Sequence, residues 1–345
     1  MTKILKQVVG IDVAENELVV SLGRLNGTLH KEVYAFKQFA NKLSGFKALE
    51  AWVNKHTDKQ VDVRYVMEAT GVYHEKLAYY LSDQKREVCV VLPNKISNYM
   101  RSLDLKTVTD KTASQAICQF GIERKYELWQ QPKKIYRDLK QLTRERDQII
   151  AERTVSKNQL HAEQAEAFPN EKSISRLKER ISLCNSQEKE IRLDIAAIIK
   201  TDKELAARID NVATAPGVGR LTVVITIAET NGFDLVKNKK QITGYSGLDV
   251  EEKESGTSVK KKPKISKKGN RHVRKAMHMP ALTAIRVDDR FKAIYVRLVS
   301  KHGIKMKAAV AVQRRLLELI YTLWVTNKPY NKNHTHQSVE NTQAV

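Results

Sequence analysis

The chain has 345 residues, which allows about two domains, and its 41% hydrophobic and 29% charged residues exclude global disorder. Lysine and arginine number 61 against 39 aspartate and glutamate, a net charge of +22 that directs the chain towards a polyanion, nucleic acid first among them. Apolar runs such as 223–228 are far short of a membrane span, and Asp12 interrupts any signal-like apolar core. Three dispersed cysteines (Cys89, Cys118, Cys184) suit neither a disulfide framework nor a zinc cluster, so the expectation is a cytoplasmic protein with no membrane partner.

Apolar runs at 8–13 and 18–22 predict two strands, and Asn26-Gly27 turns the chain towards a third, weaker one at 29–35. Phe39, Leu43, Phe46, Leu49 and Val53, spaced by three and four, predict a helix. A strand at 63–67, a helix after Gly71, an apolar run at 88–92 and short helices at about 95–103 and 112–120 follow. The order β-β-β-α-β-α-β-α predicts an α/β layer with a hairpin start and parallel additions.

From about 132 to 200 the chain is free of glycine and rich in Lys, Arg, Glu, Gln and Leu or Ile. Ile135, Leu139, Leu142 and Ile149 form one heptad stripe, interrupted by Arg146; Leu177, Ile181, Cys184, Ile191, Ile195 and Ile198 form another, interrupted by Glu188. Phe168-Pro169-Asn170 breaks the run, which predicts an antiparallel coiled-coil hairpin, or else two core helices of a bundle. The stripe of Leu177, Ile181, Ile191 and Ile195 is expected to be an assembly surface. A second compact, mostly helical unit starts near Leu205, with a Pro216-Gly217-Val218-Gly219 turn, a Gly- and Lys-rich loop and two more helical patterns. The expected division is 1–125, a connector at 126–204, a C-terminal domain at 205–328 and a loose tail at 329–345.

Three carboxylates stand out. Asp12 ends the first strand, Glu68 ends a later one, and Asp110 precedes the last helix of the α/β unit. Neighbouring strands and a following helix can bring all three to one sheet edge. Such a cluster repels itself unless a divalent cation neutralises it, and hard oxygen donors suit Mg²⁺ in phosphodiester cleavage. The turn holding Gly217 and Gly219 can present backbone N–H groups to a phosphate, as a helix-hairpin-helix does, or can be a plain helix connection. Nine of the sixteen residues 260–275 are cations (Lys260, Lys261, Lys262, Lys264, Lys267, Lys268, Arg271, Arg274 and Lys275) and none is an acid, a pattern for phosphate contact. A serine near clustered cations has the surroundings of a phosphoryl-transfer nucleophile, and Ser246, Ser255, Ser258 and Ser266 all qualify. His334 and His336 in the tail are read as incidental, and aromatics at 6% are too few for base-stacking platforms.

Blocks along nearly the whole chain resemble the insertion-sequence 110 family of transposases, the bridge-RNA-guided recombinases. They are GIDVAENELVV, MEATGVYHE, TDKTASQAICQFG, APGVG, YSGLDVEEKESGTSV and KISKKGNRHVRKAMHMPA, in that order. The resemblance implies a RuvC-like (ribonuclease-H-like) N-terminal domain with an Asp-Glu-Asp-Asp metal site, a coiled-coil connector and a C-terminal transposase domain with a catalytic serine. It assigns Asp12, Glu68 and Asp110 to the metal site and Ser255, in Glu-Ser-Gly, to the nucleophile. The fourth carboxylate falls on Ala113, which cannot bind a metal; three carboxylates suffice, or Ser114 or Asp104 assists through water, or the site is weakened. It further implies a structured bridge RNA pairing with donor and target DNA, and assembly into dimers and tetramers. The rivals are a RuvC-like junction endonuclease that uses water and a non-catalytic nucleic-acid-binding relative.

Overall fold

The computed structural model describes residues 3–103, 107, 109–125, 127–255 and 259–332, without the side chains of 253, 255 and 259–262. Asp104, Ser258, His334 and His336 thus lie outside the described residues. The chain forms two compact units, Met1–Gln131 and Pro132–Val345.

The first unit contains β1 (Ile4–Val13), β2 (Glu17–Asn26), β3 (Lys31–Ala40), α1 (Leu43–His56), β4 (Val63–Glu68), α2 (Glu75–Asp83), β5 (Glu87–Val91), α3 (Pro93–Arg101) and α4 (Asp110–Glu123). One mixed five-stranded sheet has the order β3-β2-β1-β4-β5, with β1 to β3 antiparallel and β4 and β5 added parallel. This agrees with the expected α/β layer, and the arrangement is consistent with a RuvC-like domain. Phe39 belongs to β3, opposite Leu18, rather than to α1. Its spacing from Leu43 imitates a helical turn, but a strand partner was available to it and the helix starts beyond Asn41-Lys42.

Strand alternation divides the core. Val9, Ile11 and Val13 join Leu18, Val20, Leu49, Tyr65, Met67 and Leu77 on one face; Val8, Val66, Cys89, Ile117 and Cys118 pack on the other. α4 lies against that second face at close range. A Cβ on Gly10 would meet the backbone N of Cys118, and would stand 2.5 Å from both the Cys118 Cβ and the Ser114 carbonyl. One on Gly23 would meet the Cys118 sulfur at 2.7 Å. Two glycines on adjacent strands therefore make the bed in which α4 rests. The Lys6 ammonium closes its far end, donating to the carbonyls of Gly121 and Ile122 at 2.5 and 3.0 Å.

The second unit begins with two long helices, α5 (Lys134–Ala165) and α6 (Glu171–Lys200), hinged at exposed Phe168. They run antiparallel, because Arg146 bonds Glu188 while Arg153, one side of it nearer the hinge, bonds Asn185. The two residues that interrupt the apolar stripes thus meet each other. Glu188 is buried and receives Arg146, Arg153 and Arg192 at 2.6, 2.5 and 3.1 Å. Leu177, Ile191 and Ile195 are buried within this single chain and Ile181 is half-buried, so the stripe expected as an assembly surface is already covered by its own hairpin.

The helices α7 (Lys203–Ala213), α8 (Arg220–Glu229), α9 (Lys239–Ser246), α10 (Arg271–Ala276), α11 (His278–Val287), α12 (Asp289–His302) and α13 (Lys305–Thr326) share one core with the base of that hairpin. Tyr136, Leu139, Ile195 and Ile199 bury against Leu205, Ile209, Val224 and Leu316 in it. The expected Lys-rich loop is a two-stranded ribbon instead: β6 (Val250–Ser255) pairs antiparallel with β7 (Val259–Ile265). Backbone pairing sustains it where Val-Lys-Lys-Lys-Pro-Lys-Ile offers no apolar alternation to read. Residues at the start of the expected tail are tied down: the Tyr330 hydroxyl donates to Asp288 and its N–H to Thr214, each at 2.7 Å.

Candidate active site

Alternation puts Asp12 on the same sheet face as Val8 and Gly10, and Glu68 on that of Val66, the face covered by α4. β1 and β4 are parallel neighbours with Ile11 opposite Met67, so Asp12 and Glu68 leave the sheet side by side at one edge. Asp110 is the first residue of α4, fixed by a capping box: the Thr109 hydroxyl accepts from Thr112 N at 3.2 Å, and the Thr112 hydroxyl accepts from Thr109 N at 2.8 Å. The charge of Asp110 acts on Asp12, and that of Asp12 on Glu68. Burial and the charge of Asp110 push the Asp12 pKa up, against a weaker pull from the Val13 N–H; burial and the charge of Asp12 push Glu68 up.

Among the described residues no group of three or more His, Cys, Asp or Glu side chains stands close enough together to hold a metal ion. The donor chemistry nonetheless fits a hard cation, because mutual repulsion of carboxylates is what a cation relieves. Ala113 is partly buried and supplies no donor. Ser114 is not a substitute: its fully buried hydroxyl pairs with Ser21 at 2.8 Å and donates to the Lys111 carbonyl at 2.9 Å. At i+4 it lies on the same side of α4 as Asp110, but its hydroxyl is already committed.

In the second unit, Gly217 has φ +75° and its Cα packs on α11, where a Cβ would stand 2.5 Å from the Pro280 carbonyl. Gly219 is the N-cap of α8, and a Cβ there would meet only open space. Ser255 ends β6, and Lys260, Lys261 and Lys262 lie in β7; their side chains are outside the described set. Among the remaining serines, Ser246 is buried and Ser266 donates to Asp249 at 2.5 Å. Lys264, Lys267 and Arg271 are exposed; Lys268 pairs with Glu251 at 3.0 Å, and Arg274 donates to the Ser246 carbonyl at 2.7 Å, closing the end of α9.

A network missed by the sequence reading fixes this basic segment. Glu229 is buried at the end of α8 and accepts from Nε and Nη2 of Arg144, at 2.7 and 2.9 Å, and from the Asn270 amide at 2.7 Å. Burial alone pushes the Glu229 pKa up, but those bonds and the charges of Arg144 and Lys140 together hold it below the usual glutamate value. Asn270 also caps α10 through its side-chain oxygen, bonded by the N–H groups of His272 and Val273. The signal was an acid closing the apolar run 223–228, but only folding brings Arg144 and Asn270 to it.

Residues 9–169 match the family model DEDD_Tnp_IS110, described as "Transposase", and residues 209–296 match "Transposase IS116/IS110/IS902 family". The chain belongs to the IS110 family of transposases. The pilin gene-inverting proteins of Moraxella bovis and Moraxella lacunata are each 27% identical to this transposase over 336 residues, covering 95% of it and 98% of the relative. The transposase is accordingly a DNA-rearranging enzyme, a transposase or site-specific recombinase acting on DNA. Asp12, Glu68 and Asp110 fall inside the first matched segment, and Gly217, Gly219, Ser255 and the cationic run inside the second. No helix among the described residues is long and apolar enough to cross a membrane.

Proposed function

We propose that this transposase cuts and rejoins DNA with Asp12, Glu68 and Asp110 as metal ligands and Ser255 as nucleophile, and that a bridge RNA selects donor and target. Asp12, Glu68 and Asp110 would hold Mg²⁺, which neutralises a phosphate and eases ionisation of the attacking oxygen when bound. The Ser255 oxygen forms a bond to phosphorus as a sugar oxygen leaves with a proton, and the phosphoserine link retains the bond for rejoining. The first unit acts as a RuvC-like domain, the α5–α6 hairpin as a coiled-coil connector, and α7–turn–α8 as a helix-hairpin-helix that holds phosphate at Gly217 and Gly219. Residues 1–125, 126–204 and 205–328 divide this work; the protein operates in the cytoplasm as a dimer that forms tetramers on DNA.

The observation that carries this reading is that Asp12 and Glu68 leave neighbouring strands side by side at one sheet edge, both pushed up by burial and by a neighbouring carboxylate, with the charge of Asp110 at the start of α4 acting on Asp12. The Ala113 position leaves Asp110 without a second carboxylate at i+3, so the site works with three carboxylates. The test is a denaturing gel of labelled DNA with protein, co-purified RNA and Mg²⁺, digested with protease to reveal adducts. Asp12→Asn should abolish cleavage, and Ser255→Ala should abolish the adduct, while Ser266→Ala retains both. Wild-type adduct yield from Ser255→Ala would remove the serine step and leave a water-using RuvC-like endonuclease.

A further inference from the structure

One cavity of the Pro132–Val345 unit lies away from any serine or carboxylate cluster. It is a cleft of about 1130 Å³ walled by α5, α10, α13 and the β6–β7 ribbon. It exceeds the roughly 300–1,000 Å³ that holds one small ligand. Two kinds of surface line it. Lys264, Lys267, Arg271 and Lys307 stand exposed on its walls, with no carboxylate in ion-pair reach of them among the described residues. Asp147 is the one acid among its described lining residues, and it is already engaged by His272 at 3.3 Å and Lys275 at 3.1 Å. The same lining includes Leu248, Ile265, Val310 and Met306, and Met306 is 58% exposed.

A lining that mixes cations with aliphatic side chains discriminates among polyanions. A duplex turns phosphates and sugars outwards and keeps its bases stacked inside, so it has no use for the aliphatic groups. An unpaired strand offers phosphates to the cations and its sugars and base faces to the aliphatic side chains. The described lining holds no Phe, Tyr or Trp, so base stacking adds little and sequence preference should be weak. Strand transfer exposes unpaired segments, so the enzyme's own chemistry supplies such a ligand.

We propose that this cleft seats a short unpaired stretch of nucleic-acid strand, with its phosphates on Lys264, Lys267, Arg271 and Lys307 and its sugars and bases on the aliphatic side chains. The proposal rests on the reading of the unit as a nucleic-acid-binding one. It extends the cationic segment of 260–275 to α13, a surface that the sequence run does not reveal.

The test is fluorescence anisotropy of the full chain with labelled oligothymidine and with a labelled duplex of equal length, across a salt series. Lys307→Glu and Met306→Glu change exposed side chains, and thermal melts confirm that they fold. Each should weaken oligothymidine binding about tenfold while duplex binding changes less than about twofold, and Lys307→Glu should flatten the salt slope by about 0.7. Unchanged oligothymidine affinity in both variants would overturn the assignment. So would equal losses for strand and duplex, which mean a general charge effect. Displacement of oligothymidine by polyglutamate at matching concentration would make an acidic protein segment the occupant. Asp12→Asn and Ser255→Ala should lose covalent chemistry but keep oligothymidine binding, so failure of the catalytic reading and failure of this one give different results.

Discussion

Gly10→Ala tests how the sheet positions Asp110. The new methyl would stand 2.5 Å from the Cys118 Cβ and the Ser114 carbonyl, where ordinary contact begins near 3.4 Å. Both atoms belong to α4, and the carbonyl cannot swing away as a flexible side chain could. The helix must therefore retreat by about 1 Å, an overpacking that typically costs about 1–3 kcal/mol. Loss of glycine also restricts the unfolded chain, which returns about 0.4–1 kcal/mol. The net expectation is destabilisation by about 1–2 kcal/mol, or a fall in melting temperature of roughly 2–8 °C. Two tryptophans, Trp52 and Trp129, lie in the first unit and Trp324 in the second, so fluorescence with circular dichroism separates the transitions. Gly244→Ala, with open space around its Cβ in α9, is the control and should be neutral or slightly stabilising. Because α4 carries Asp110 at its start, the same shift should reduce DNA cleavage by up to about 100-fold. A Gly10→Ala protein that melts and cleaves like wild type would refute the claim that this close approach sets the site.

Other perturbations follow from the same geometry. Asp12 and Glu68 have raised pKa values, so their ionised forms cost the fold stability once the pH exceeds the usual carboxylate range. Asp12→Asn should therefore raise the melting temperature of the first unit in a chelator at neutral pH, and an unchanged or lower value would contradict the mutual repulsion. Glu188 runs the other way: burial pushes its pKa up, but hydrogen bonds from Arg153 and Arg146 and their charges outweigh it. Its stabilisation is present above the unfolded value of 4.5 and lost as pH falls through the lower folded value, so acid melts should show Glu188→Gln flatter than wild type below that point. Glu229→Ala removes the carboxylate that Arg144 and Asn270 share; a loss of about 1–3 kcal/mol in urea unfolding is expected, and no measurable loss would deny the network a structural role. Since Ile191 is buried within the hairpin while Leu183 and Leu193 are 58% and 62% exposed, Leu193→Glu should reduce assembly mass in light scattering without lowering stability, and Ile191→Glu should lower stability first.

Local pattern was enough for the strands of the first unit, for the long helices and for the positions of the three carboxylates in those elements, because each depends on a short period in the chain. Val8 to Val13 alternates about a sheet whatever its neighbours are, and Asn170 caps a helix by bonding the N–H groups two and three residues on. Asp12, Glu68 and Asp110 were visible as acids at strand ends and a helix start, and the family blocks around them made the expectation specific. What sequence could not decide was anything set by a distant partner. Phe39 reads as helical until Leu18 pairs with it, and Ser114 reads as a spare ligand until Ser21 takes its hydroxyl. Arg146 and Glu188 read as two flaws in two stripes until the hairpin closes and each becomes the other's counter-charge. The basic run reads as one uniform surface, yet folding commits Arg274 to a carbonyl and Lys268 to Glu251, and joins Lys264 and Arg271 with Lys307 around one cleft. Charge and periodicity are properties of a segment and survive in the unfolded chain; which charges are free, paired or opposed depends on contacts across tens or hundreds of residues, and only the packed chain makes those.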